Sequence, residues 1–160
     1  VVMSLSSREY ILKLLEVSAE GLGINYTKQT PNTLQTWVRE NDAPFVANIS
    51  LNSDRTPINK SIEIVSFNVG LFFVVSTEYD LTEEDKTNQE NDAYNLASNF
   101  LSLLQSNDET NTVQSGSLDT IFREGGYLGL GVAGVFTISL PDKNDYCDLF
   151  CNTAVNNIKC

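Results

Sequence analysis

The side chains best suited to chemistry are three cysteines, Cys147, Cys151 and Cys160, and a run of carboxylates at Glu83, Glu84, Asp85, Glu90 and Asp92. Cys147 and Cys151 stand four apart, so on a helix they would share a face and, with Cys160, offer three thiolates to a metal. A closed zinc site takes four ligands, and the chain has no histidine to complete it. An odd number of cysteines crowded at one end is also no disulfide framework for a secreted fold. Free structural thiols are the reading that remains. The carboxylates fall in or before the first turns of a predicted helix, where negative charge meets the positive end of the helix dipole. That role accounts for them, although a carboxylate-dependent hydrolase would have to draw on Glu83, Glu84 and Asp85. Catalysis by a histidine base is excluded, and no phosphate loop, paired-cysteine motif or nucleophile elbow appears. Gly129 and Gly131 form a Gly-X-Gly, but inside a predicted strand, whereas a phosphate loop joins a strand to a helix. The residues therefore nominate no catalytic group, no cofactor and no metal.

The elements that would position any site begin with Ser6-Ser7-Arg8-Glu9, which has the form of a capping box. Ile11, Leu14, Leu15 and Leu22 follow at helical spacing, and Gly21 with Gly23 offers a left-handed stop, so a helix is expected to about Glu20. Ile24–Thr30 and Thr33–Glu40 read as short extended pieces broken by Pro31 and Asn32. Phe45, Ala47, Ile49 and Leu51 alternate with smaller or polar residues in a strand, and the loop from Asn52 to Asn59 reads as an exposed hairpin tip. The longest extended run starts at Ser61, with Ile62 and Ile64 on one parity and Val65, Phe67, Val69, Leu71, Phe73 and Val75 on the other. That change of parity predicts a bulge near Ile64 and Val65 in a central strand.

Thr87-Asn88-Gln89-Glu90 is a second capping-box pattern, and Ala93, Ala97, Phe100 and Leu104 follow it at helical spacing. The second helix is expected from Glu83 or Thr87 to Gln105. A weaker strand over Val113–Glu124 then turns at Gly125-Gly126 into Tyr127–Leu140. In that last strand Leu128, Leu130, Val132, Phe136, Ile138 and Leu140 carry the bulk. The opposite parity is small near its start, and with Gly126, Gly129, Gly131 and Gly134 it admits close approach by a bulge, a bend or a neighbouring subunit. Pro141 ends the strand, and Asp142-Lys143-Asn144-Asp145 is a loop without calcium-loop spacing.

A chain of 160 residues with 41% hydrophobic content suits one domain, expected over residues 1–145, with 146–160 as a C-terminal arm or short helix. No apolar run approaches the ~20 residues of a membrane span, and the first residues lack signal-peptide features, so a soluble, non-exported protein is expected. A net charge of −11, from 21 acidic and 10 basic residues, argues against gripping a nucleic-acid backbone. The fold class is α+β: an antiparallel or mixed sheet packed by two main helices.

This order of elements, with a helix over Arg8–Glu20, a second before the last hairpin, and a final strand running into a proline loop (YLGLGVAGVFTISLPDKND, Tyr127–Asp145), resembles the tail-terminator and tail-completion proteins of tailed bacteriophages. The resemblance covers most of the chain in element order and the last segment in sequence character. The tail beyond Asp145 and the clustered cysteines depart from it, and a neck or tail ring protein of a short-tailed phage would read much the same. It implies a non-enzymatic virion protein assembled in the host cytoplasm, a hexameric or dodecameric ring at the head–tail connector or tail. DNA would pass through the lumen without sequence-specific binding, and neighbouring connector or tail proteins would dock on the ring. Asp54, Arg55, Gly129, Gly131, Gly134, Asp142 and Lys143 are the subunit-interface candidates. The competing reading is a small soluble ligand- or peptide-binding module, with Tyr26, Trp37 and Phe45 lining a groove, although such aromatics are more often core.

Overall fold

The computed structural model describes residues 4–78, 81–121 and 130–147. Ten elements follow one another: β1 (Ser4–Leu5), α1 (Ser7–Gly21), β2 (Asn25–Lys28), α2 (Pro31–Glu40), β3 (Phe45–Pro57), β4 (Glu63–Ser76), α3 (Glu83–Gln105), β5 (Asn111–Ile121), β6 (Leu130–Pro141) and β7 (Tyr146–Cys147). Five strands form one mixed sheet in the order β2-β3-β4-β6-β5, while β1 and β7 pair in a separate patch. Only β2 and β3 run parallel. A parallel pair needs a crossover connection, and α2 supplies it. The α+β class and the central place of β4 agree with the sequence.

Local signals build α1. The Ser6 hydroxyl accepts from the Glu9 amide at 3.3 Å, and the Glu9 carboxylate accepts from the Ser6 amide at 2.8 Å. At the other end Gly23 has a φ of +69°, and the amides of Gly23 and Ile24 reach back to the carbonyls of Glu20 and Ala19. That paired closure satisfies carbonyls the helix would otherwise leave orphaned.

The segment expected to be extended over Thr33–Glu40 is instead the helix α2. Pro31 occupies its first turn, where a missing amide hydrogen costs nothing, and Thr30 caps it by accepting from the Thr33 amide at 3.3 Å. The proline read as a break is a helix start. For α3 the cap is Thr82, which accepts from the Asp85 amide at 3.1 Å. Thr87, the other expected cap, lies inside the helix and bonds the Glu83 carbonyl at 3.0 Å. Three helices therefore pack the sheet, not two.

On one sheet face Tyr10, Ile11, Leu14, Leu15 and Ala19 of α1 and Ala93, Ala97, Phe100 and Leu104 of α3 meet Val65, Phe67, Val69, Leu71 and Phe73 of β4 and Val132, Phe136, Ile138 and Leu140 of β6. Phe73 lies edge-on to both Phe100 and Phe136, with centroids 5.4 and 6.0 Å away, a geometry that adds ~1 kcal/mol per pair beyond burial. On the other face Leu34 and Val38 of α2 form a smaller core with Phe45, Ala47 and Val74. The bulge expected near Ile64 and Val65 is absent, because both residues pair in register with β3 and β6. Ile62 is exposed in the turn and Ile64 points to the face away from the main core, so no extra residue is needed. The register shifts fall at Asn48/Ser50, Val74/Ser76 and Ser115/Asp119. Tyr146 is buried against Tyr10, with centroids 4.6 Å apart, which brings the first residues of the expected arm into the packed fold.

Candidate assembly surfaces

Three of the interface candidates converge at one corner. Arg55, on the outer part of β3, pairs with Asp142, and its guanidinium lies 3.4 Å from Glu63 across the hairpin. Asp142 Oδ1 accepts from the Ser7 hydroxyl at 2.9 Å, the Asp142 amide donates to the Glu63 carbonyl at 2.9 Å, and the Lys143 amide donates to Ser7 Oγ at 3.2 Å. The Lys143 ammonium sits 4.3 Å from the centre of the Tyr146 ring. This corner joins the β3–β4 hairpin, the start of α1 and the end of β6 within one chain. Burial raises the Tyr146 phenol to about 12, helped by the negative charge of Glu109, while its hydroxyl donates to the Pro141 carbonyl. Asp54 stands apart, exposed on the other face of β3.

The glycines separate. A methyl on Gly131 would lie 2.0 Å from the Phe73 carbonyl oxygen, at the register shift in β4. The backbone that comes close at Gly131 belongs to the same chain, where the sequence left a bulge, a bend or a neighbouring subunit open. At Gly134 a methyl would meet the end of the Leu118 side chain at 2.5 Å. Gly129, with Gly125, Gly126, Cys151 and Cys160, lies outside the described residues. Glu83, Glu84 and Asp85 sit exposed in the first turn of α3, with Lys86 3.0 Å from Glu83. Among the described residues no three potential ligands gather for a metal. No described helix is long and apolar enough to cross a membrane. Trp37 and Phe45 pack edge-on at 4.9 Å in the smaller core, whereas Tyr26 packs against the larger one, so the three aromatics line no common groove.

A surface not singled out from sequence lies on the sheet face opposite α1 and α3, beyond the reach of α2. Register places its residues in rows across β3, β4, β6 and β5: Asp54, Ser66, Ser139, Asn111; Asn52, Asn68, Thr137, Val113; Ser50, Gly70, Val135, Ser115. Hydroxyls and amides link the strands, with Ser66 2.8 Å from Ser139, Thr137 donating to Asn68 at 2.8 Å, and Ser115 2.6 Å from Thr137. Asp54 is the single charge in these three rows, on a chain in which 19% of residues are charged. A depression of about 340 Å³ opens there between Ser50, Phe72, Ser115, Val135 and the carboxylate-bearing Asp119.

The alternation of Ser, Asn and Thr with the apolar core parity was the available signal, but it marks any half-solvated sheet equally well. The large hydrophobic side chains left exposed among the described residues divide between two places. Ile58 (61%) and Ile62 (47%) are at the hairpin tip, and Val113 (49%) and Val135 (42%) are on this open face. No protein-family model matches the chain, and no curated protein matches it.

Proposed function

We propose that this chain is a non-enzymatic structural subunit that assembles with copies of itself into a ring, of the kind found at the head–tail connector or tail of a tailed bacteriophage. The observation that carries the reading is the division of exposed apolar side chains between two unlike surfaces. A subunit whose hairpin tip, with Ile58 and Ile62, seats on a neighbour's open face, with Val113 and Val135, makes a heterologous contact, and such contacts form a ring where the rotation between subunits closes and a filament where it does not. The scarcity of charge in the rows of that face, with Asp54 in them and Asp119 beside them, favours the same role, because charged residues are scarce at the centres of protein interfaces. The phage setting comes from the resemblance in element order alone. In that setting the acidic surplus would keep DNA from sticking to the lumen. Light scattering on the purified chain, with electron micrographs of the same sample, tests the reading: rings are expected, and a strict monomer at high concentration would reject it.

A further inference from the structure

We infer that the free edge of β3, just beyond the end of β2, takes up an extended acidic segment of another protein as an added strand. β2 pairs with β3 only over Phe45–Asn48, and the last bond of that ladder runs from the Gln29 amide to the Asn48 carbonyl at 3.0 Å. The chain then turns away into α2. From Ile49 to Pro57 the β3 edge is joined by no strand among the described residues, while its other side is paired with β4. A groove of about 310 Å³ occupies the vacated lane, walled by Arg8, Lys28, Thr30, Asn48, Ser50 and their neighbours.

Three features mark the groove, and the first two select the occupant. The start of α2 lines the groove through Thr30 and Thr33, so one positive helix end opens there, and Arg8 reaches it from the first turn of α1, whose own start is capped by the Glu9 carboxylate. Arg8 and Lys28 are its charged lining residues, both exposed and neither in an ion pair among the described residues, on a chain of net charge −11. Asn48, which lines the groove, is only 1% exposed, and its side-chain oxygen has no partner among the described residues. A strand laid along β3 supplies amide donors, and carboxylates on its side chains would meet the two cations.

A second copy of this chain is the poorer occupant. Of its edge strands, β5 is bulged around Gly116, which has a φ of +83°, with Asp119 its one acidic residue, and β2 carries Lys28 and no acidic residue. The inference stands on the β3 edge and does not require the ring.

The test uses the full chain with a fluorescein-labelled peptide of sequence Glu-Val-Glu-Thr-Glu-Val-Glu, and the same peptide with Gln for every Glu. Anisotropy should show saturable binding of the acidic peptide at least about tenfold tighter than its Gln counterpart, and a similar loss in the double variant Arg8→Glu, Lys28→Glu. Hydrogen exchange should slow at the amides of residues 49–55 when peptide is added. Absence of saturable binding below about 1 mM, indifference to the double variant, or protection elsewhere would overturn the inference. So would a self-assembled state that this variant dissolves, since the edge would then belong to a second copy.

Discussion

Arg55 and Asp142 form an ion pair that ties the long β3–β4 hairpin to the residues just after β6, and the same carboxylate accepts the Ser7 hydroxyl at the start of α1. Asp142 is the more enclosed partner, with its side chain 24% exposed against 58% for Arg55. Asp142→Ala should therefore cost about 1–2 kcal/mol, because Ser7 loses the nearer of its two acceptors, the other being the Lys143 carbonyl, as well as Arg55 its partner. Arg55→Ala should cost less than about 1 kcal/mol, as exposed pairs do. Urea denaturation of both single variants and the double variant checks this, and a coupling near zero would show that the pair does not act as a unit.

Gly131 and Gly134 should respond differently to alanine. At Gly131 the added methyl meets a backbone carbonyl that cannot step aside, so Gly131→Ala should cost at least ~3 kcal/mol or prevent folding. At Gly134 the obstacle is the tip of Leu118, which can rotate, and the loss should be ~1 kcal/mol. Urea midpoints of the two variants, measured side by side, decide it; equal losses would mean the close approach at Phe73 is not what requires the glycine.

The first helix was legible because its signals are local: Ser6 and Glu9 cap one end, and Gly23 closes the other. α2 was not, because a proline marks a helix start and a break with the same residue, and only Leu34 and Val38 facing Phe45 and Ala47 settle which. The parity change at Ile64 misled for a related reason: an apolar residue on the far face looks like a slip in register until the neighbouring strand is known. Pairing of Arg55 with Asp142, and of β4 backbone with Gly131, joins segments far apart in sequence. Residue spacing carries no trace of either. The open face was written in its Ser, Thr and Asn, but only the strand order shows that these residues form continuous rows.

Loss of the α1 cap gives a third test. Ser6→Ala removes the acceptor for the Glu9 amide and should cost about 1 kcal/mol, read as a lowered urea midpoint with an unchanged slope. An unchanged midpoint would mean that packing alone sets the start of the helix.

High pH should destabilise the fold. Tyr146 is held at about 12 by burial against an ordinary value of 10.0, and burial raises Tyr10 and Tyr26 as well. A phenol that keeps its proton more tightly when folded contributes fully below the unfolded pKa, and that contribution is lost as pH rises through the folded one. Melting temperature should therefore fall steadily from pH 10 to 12. In Tyr146→Phe the fall should be shallower, from a starting stability lower by ~1 kcal/mol for the lost bond to Pro141. A fall as steep as in the parent chain would assign the titration elsewhere.

Sedimentation velocity on the full chain and on Val135→Glu, both at about 0.1 mM, tests self-assembly most directly. The parent chain should sediment as a closed multiple of 17.7 kDa, and the charged substitution at the centre of the open face should release single chains that remain folded by circular dichroism. A parent chain that sediments as a 17.7 kDa monomer, or an assembly that Val135→Glu leaves intact, would contradict the account.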